Sequence, residues 1–309
     1  MVGSAYNNKG GMLVFMRQKR LLALLDAVGG KIGNLDFQKL LFLYCQETAA
    51  PPPYEFVPYR FGAFSFSCYA DRRRLSETGF LKPESQLWEL TPLGRKTSRD
   101  DVALRDEART WSARHMERGD SLVAATYRAY PYYGIRSEIA GKVLKGDALA
   151  LQRIEASRPN KAAPGLWTIG YEGRSLEAYL NELIGAGIEI LCDVRRNPIS
   201  RKYGFSKKTL ASACEGVGIE YRHLPELGIT SDRRQELHVQ GDYDALFAEY
   251  KLSQLPFQGA ALNVIGDWID GGKAVALTCY ERLPEKCHRH CVAEAVEKLS
   301  IMEIPTIHL

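Results

Sequence analysis

Four short motifs concentrate the groups able to do chemistry. Asp193-Val194-Arg195-Arg196-Asn197-Pro198 sets a carboxylate beside two guanidinium groups. Cys279-Tyr280-Glu281, followed by Cys287-His288-Arg289, supplies thiols, a carboxylate, an imidazole and a further guanidinium. His223-Leu224-Pro225-Glu226 adds an imidazole and a carboxylate. Gly170-Tyr171-Glu172-Gly173-Arg174-Ser175 puts two glycines beside a helix start, which suits close backbone approach and anion binding at exposed N–H groups.

Glu281 is the first choice as nucleophile or general base, because cationic neighbours in sequence set its charge. Asp193, Cys279, His223 and Glu226 are the other catalytic candidates. Gly170, Tyr171, Arg174, Arg195, Arg196, Arg201, Cys287, His288 and Arg289 are the candidates for holding phosphate or substrate. The run Arg195, Arg196, Arg201, Lys202, Lys207, Lys208, interleaved with Tyr203 and Phe205, suits phosphates with a base stacked on a ring.

Each of these has a plainer reading. Asp193 pairs with Arg195 or caps a turn, Glu281 bonds Arg282 or Lys286, and the basic run is a solvated loop. Cys192, inside an apolar strand, reads as a packed thiol. Cys279 is either an exposed nucleophile at a strand end or another packed thiol. Cys287 lies near a predicted helix start, which lowers a thiol pKa. No metal site or cofactor is expected: the short paired hooks of structural zinc are absent from Cys279, Cys287, His288 and Cys291, and neighbours on a helix point apart.

Strands are predicted at Leu166–Gly170, Glu189–Asp193, Glu220–Leu224 and Ala274–Cys279. Helices are predicted at Ser175–Ala186, Ser206–Val217, Tyr243–Lys251 and His288–Leu299. This alternation argues for an α/β fold, a mostly parallel Rossmann-like sheet with helices on both faces, spanning 166–309. In such sheets functional groups gather at the carboxyl ends of the strands, where all four motifs fall. The proline- and glycine-containing stretch 158–165 is the expected linker.

Ahead of it, 12–157 reads as a mainly α domain. Apolar spacing from Gln18 to Glu47 gives two helices around a glycine turn. An aromatic alternation follows over Tyr54–Phe66, then a helix over Ser67–Thr78, then a short strand near Leu87–Leu90 with a helix starting at Pro92. Residues 99–157 form a helical connector with Trp111, Val123 and Tyr127 inward, interrupted at Tyr130–Gly134. Arg72-Arg73-Arg74 is a candidate nucleic-acid contact.

The motifs Thr168–Tyr171, Cys192–Pro198, His223–Gly228 and Cys279–Glu281 with Cys287–Arg289, in that order, resemble the family called domain of unknown function 488, over about residues 165–300. That resemblance implies a fold rather than an activity. Phe37–Leu41, Tyr59–Ser65 and Trp88–Gly94 resemble winged-helix modules of prokaryotic toxin–antitoxin regulators. The pairing of such a module with a small α/β domain resembles parts of prokaryotic defence systems.

The chain has 309 residues, enough for two cores; 45% hydrophobic and 25% charged residues exclude long disorder. A net charge of +4 permits a polyanionic partner without requiring one. Seven dispersed cysteines read as thiols of a reducing cytoplasm. The longest apolar runs fall well short of the roughly 18–20 residues of a membrane span, and Met1–Gly11 reads as a lead-in or a misplaced start.

The leading expectation is therefore a hydrolase acting on nucleic acid or nucleotides, cleaving an N-glycosidic or phosphoester bond. A binding regulator or sensor without turnover is the alternative. A thiol-dependent transferase is the third, since Asp-Val-Arg after a strand is similar to sulfurtransferase domains, although their cysteine-centred loop is missing. A homodimer or a partner protein at the amino-terminal domain stays open.

Overall fold

Between Met16 and Glu47 the apolar side chains recur at helical spacing, and the computed structural model has two helices there, α1 (Met16–Ala27) and α2 (Asn34–Glu47), on either side of β1 (Lys31–Gly33). The structure describes residues 14–48, 51–83, 85–230, 239–299 and 305–309; the lead-in Met1–Gly11 lies outside them. The chain divides into two units, Met1–Arg158 and Pro159–Leu309.

In the first unit the aromatic alternation after Pro53 forms a hairpin, β2 (Val57–Tyr59) and β3 (Gly62–Phe64). Helix α3 (Phe66–Glu77) follows, its start capped by Ser65, whose Oγ accepts the Cys68 N–H. Strand β4 (Leu87–Glu89) pairs antiparallel with β1, Trp88 opposite Ile32. The described residues of this unit therefore form two short antiparallel pairs among helices. Helix α4 (Pro92–Thr97) begins at the expected place, capped by Thr91 with proline in its first turn.

The sequence motifs of this unit are joined to one another. Ser65 N–H donates to Gln38 Oε1 at 3.2 Å and Lys39 Nζ donates to the Ala63 carbonyl at 3.0 Å. The Phe37 and Trp88 rings lie 4.5 Å apart. Arg72 belongs to the same packing: it is buried, donates to the carbonyls of Ser85 and Leu87, and lies 4.7 Å from the Trp88 ring. Of the three arginines offered for nucleic acid, Arg72 is thus a clamp on β4, while Arg73 and Arg74 remain exposed.

The connector is four helices: α5 (Val102–Ser112), α6 (Gly119–Ala129), α7 (Ala140–Val143) and α8 (Ala148–Ala156). Trp111, Val123 and Tyr127 are buried, and the break is a 3-10 turn at Pro131–Gly134.

The second unit alternates strand and helix. Its sheet contains β5 (Gly165–Gly170), β6 (Ile190–Asp193), β7 (Glu220–His223), β8 (Ala274–Cys279) and β9 (Ile307–His308). The order is β7-β6-β8-β5-β9, and every neighbouring pair is parallel. The intervening helices are α9 (Leu176–Gly185), α10 (Lys207–Gly216), α11 (Gln240–Ser253), α12 (Gly259–Asp270) and α13 (Arg289–Leu299).

Alternation along each strand sends successive side chains to opposite faces. Leu166, Ile190, Cys192, Val275 and Leu277 join a cluster with α11, α12 and α13. On the opposite face Thr278 accepts a hydrogen bond from Tyr179 of α9 at 2.7 Å. From β5 the chain crosses past β8 to β6 and β7, then returns to β8. That reversal opens a crevice at the carboxyl ends of β5, β8 and β6, the usual place for a site in an open parallel sheet.

Candidate functional site

A cavity of about 690 Å³ occupies that crevice. Tyr171 contributes to it after β5; Arg195, Arg196, Asn197, Ser200, Arg201 and Lys202 after β6; Ile229 and Thr230 after β7; Cys279, Tyr280 and Glu281 after β8. All four strand ends named from the sequence therefore reach it, but fewer of the predicted side chains do.

Asp193 is the main correction. It is fully buried, and its carboxylate is consumed by its surroundings: Arg195 donates to it from the backbone N–H, from Nε at 2.8 Å and from Nη2 at 2.5 Å, and the Tyr221 hydroxyl donates at 2.6 Å. The physical reason is the pleat. Asp193 is in register with Thr278, whose side chain points to the α9 face, whereas Cys279 follows Val275 and Leu277 to the other face. Asp193 thus holds Arg195 and does not line the cavity.

Arg195 is spent in the same network. Its Nη1 donates to the Tyr171 hydroxyl at 2.8 Å and to the Phe205 carbonyl at 2.9 Å. Burial lowers its pKa, but the hydrogen bonds and charge of Asp193 outweigh that and hold it above its ordinary value. Burial, then the Asp193 charge, pushes the Tyr221 hydroxyl up. The Tyr171 ring stacks on Phe205 at 4.3 Å, 9° from parallel.

His223 and Glu226 also lie outside the cavity lining. His223 Nε2–H donates to the Arg195 carbonyl at 2.9 Å and its Nδ1 accepts from Lys207 Nζ at 3.0 Å, so both ring nitrogens brace the loop after β6. Glu226 is exposed on a 3-10 turn, Pro225–Leu227, outside the cavity lining.

In the glycine turn after β5, two of the N–H groups offered for an anion are already engaged. The N–H groups of Tyr171 and Glu172 donate to the carbonyls of Cys279 and Tyr280. A Cβ on Gly170 would collide with the Glu281 carbonyl, so glycine is needed there for the two strand-end loops to touch. Arg174 pairs with Glu182 at 2.8 Å. Arg289, fully buried, donates from Nη1 to the Glu281 carbonyl at 2.5 Å and from Nη2 to the Arg282 carbonyl at 2.9 Å. It anchors the loop that presents Glu281 and does not reach the cavity lining.

Glu281, half-buried, lines the cavity with Arg196, Arg201 and Lys202. Among the described residues Arg201 has no ion-pair partner. Lys202 Nζ donates to the Tyr171 carbonyl at 2.8 Å, and desolvation lowers its pKa. Lys202 was visible in the basic run and Tyr280 within the Cys279–Glu281 motif, though without a role; Thr230, without charge or motif, was not.

Beneath Glu281 lies a buried group. Cys279 Sγ is 3.5 Å from Glu281 Oε2 and 3.7 Å from His288 Nδ1. Cys279, Cys287 and His288 bring one ligand atom each within 4.8 Å of one another, and all three are buried. Cys287 and His288 sit in the turn before α13 rather than on it, with extended backbone at Cys287, so both reach Cys279. That overturns the expectation that they diverge. Cys291 is on the helix beside His290 and outside the group. The Cys287 thiol is pushed well up by burial and then by its hydrogen bond with Cys279, not lowered by the helix start. Cys192 is a packed thiol, pushed up by burial.

Residues 175–296 match a protein-family model described as Domain of unknown function DUF488. The match takes in the strand-end motifs of β6, β7 and β8 and begins after that of β5. Neither the curated proteins nor the solved structures contain a match.

Proposed function

We propose that the second unit is a hydrolase of phosphate-bearing substrates, nucleic acid or nucleotides, working in the cavity at its strand ends. The observation that carries this reading is that Glu281 lines one cavity together with Arg196, Arg201 and Lys202. Glu281 serves as general base or nucleophile, and the cations hold phosphate and stabilise charge that grows in the transition state. Phosphoester cleavage is favoured over N-glycosidic cleavage, because glycosidic chemistry commonly uses a carboxylate pair and Asp193 is unavailable. In the same reading the first unit is a winged-helix-like module that positions the polyanion through the exposed Arg73 and Arg74 of α3, in the cytoplasm of a prokaryote and in the service of defence.

A second reading, thiol chemistry at Cys279, rests on the 3.7 Å approach of His288 Nδ1. The test is mass spectrometry of small products after incubation with DNA, RNA and free nucleotides, beside Glu281→Gln. A released nucleotide or phosphate, falling about 100-fold or more in the variant, is expected. A released free base would select glycosidic chemistry. A product insensitive to Glu281→Gln, formed through a covalent adduct trapped on Cys279 and lost in Cys279→Ser, would select the thiol reading. No product, with salt-sensitive retention of nucleic acid, would make the protein a binding regulator.

A further inference from the structure

Cys279, Cys287 and His288 bring two sulfurs and a ring nitrogen together in one buried group. Tetrahedral zinc with bonds of about 2.3 Å to sulfur and about 2.0–2.1 Å to nitrogen separates sulfur from nitrogen by roughly 3.5 Å and sulfur from sulfur by roughly 3.8 Å. The observed 3.7 Å between Cys279 Sγ and His288 Nδ1 lies on such an edge, and all three ligand atoms fall within 4.8 Å of one another.

The surroundings are those of a metal ligand set. His288 Nε2–H donates to the Val194 carbonyl at 2.9 Å, which in the neutral ring makes Nδ1, 3.7 Å from Cys279 Sγ, the acceptor nitrogen. Arg289 anchors the loop that follows Cys279, and Gly170 lets that loop close on β5. Only Cys279 of the three lines the cavity, together with Glu281, so the group is closed behind and approached from one side.

We propose that Cys279, Cys287 and His288 bind a single zinc ion whose fourth position faces the cavity beside Glu281. Two thiolates and one imidazole are a soft donor set suited to zinc, and three protein ligands with one remaining position is the arrangement of zinc ions that activate water. Binding displaces the two thiol protons to solvent. This goes beyond the hydrolase reading and does not depend on it: the ion can be held whether or not a phosphate ester is cleaved in the cavity.

The experiment uses the full chain, purified under reducing conditions, equilibrated with Zn²⁺ and passed through gel filtration before elemental analysis. About one equivalent per chain is expected to be retained. Exchange with Co²⁺ should give thiolate-to-cobalt charge transfer and the intense visible bands of a four-coordinate ion. Cys287→Ser should lose the retained metal and the charge-transfer intensity, whereas Cys192→Ser, altering a buried thiol outside the group, should keep both. Because the cobalt spectrum is read on the unaltered chain, a poorly folding variant does not decide the result. No retained metal, a weak six-coordinate cobalt spectrum, or a Cys279–Cys287 disulfide isolated from the reduced preparation would overturn the site. Metal retained without turnover would count against the hydrolase reading alone.

Discussion

At the scale of single residues, the clearest separation is between groups that hold the site and groups that face the cavity. Asp193 and Arg195 form a buried pair with every carboxylate oxygen engaged. Removing one partner strands the other's charge, so Asp193→Ala should cost about 3–5 kcal/mol, read as the urea midpoint of the full chain. A loss under about 1 kcal/mol would show that the pair is hydrated and that Asp193 is available for other work. Lys39 gives a second prediction. It is fully buried with one carbonyl partner, and desolvation lowers its pKa to about 7. Between about 7 and 10.5 the unfolded chain holds a proton the folded chain lacks, so stability should rise with pH by about 1.4 kcal/mol per unit across that window. Below it both states are protonated and the dependence stops. Lys39→Met should flatten the profile; a wild-type minus variant difference that stays constant from pH 7 to 10 would refute it. The motifs read from the sequence converge on one cavity, but Asp193, His223 and Glu226 lie outside its lining. Counting from a strand end locates a residue along the strand, whereas the pleat decides its face, and Asp193 and Cys279 fall on opposite ones.

At the scale of elements, the closest constraint is the contact between the ends of β5 and β8. Gly170→Ala puts a methyl group into the Glu281 carbonyl, which Arg289 also holds, so neither side can yield cheaply. The expected outcome is a folded chain destabilised by about 1–3 kcal/mol, with far lower activity on any phosphate substrate the wild type cleaves. Unchanged stability and activity would mean the loop after β8 is free to move. Gly228 does the same for the loop after β6, where a Cβ would strike Arg196. Four strands and four helices of this unit were legible because β and α periodicities alternate cleanly. Helix α12 was missed although Ala261, Leu262, Ile265 and Ile269 make a buried stripe, because Pro256, Gly259 and Gly271-Gly272 crowd its ends with turn signals. Strand β9 has only Ile307 and His308 paired with β5, too few residues to show alternation. In the first unit, β1 and β4 are three residues each and far apart in sequence, so their pairing rested on Trp88 meeting Ile32, which no local pattern encodes.

At the scale of the whole molecule, two clusters of buried apolar side chains among the described residues fall on either side of the stretch where proline and glycine interrupt the pattern. One cluster runs from Val14 to Leu122 and includes Phe37, Tyr44, Trp88 and Trp111; the other runs from Leu166 to Val296 and includes Ile190, Tyr250, Ile265 and Leu277. Each lies within one unit, and each unit has about 150 residues, a size at which a folded chain buries roughly 68–70% of its surface and can be stable alone. Residues 1–158 and 159–309, produced separately, should therefore each unfold in a single cooperative transition by circular dichroism. The second fragment should keep the midpoint shift caused by Asp193→Ala, since every partner of Asp193 is within it. A second fragment without a cooperative transition would mean that its sheet needs the first unit to fold. A first fragment that failed alone would locate the dependence in the connector helices instead. Cooperative unfolding of both fragments would justify assigning activity and nucleic-acid retention to one unit at a time.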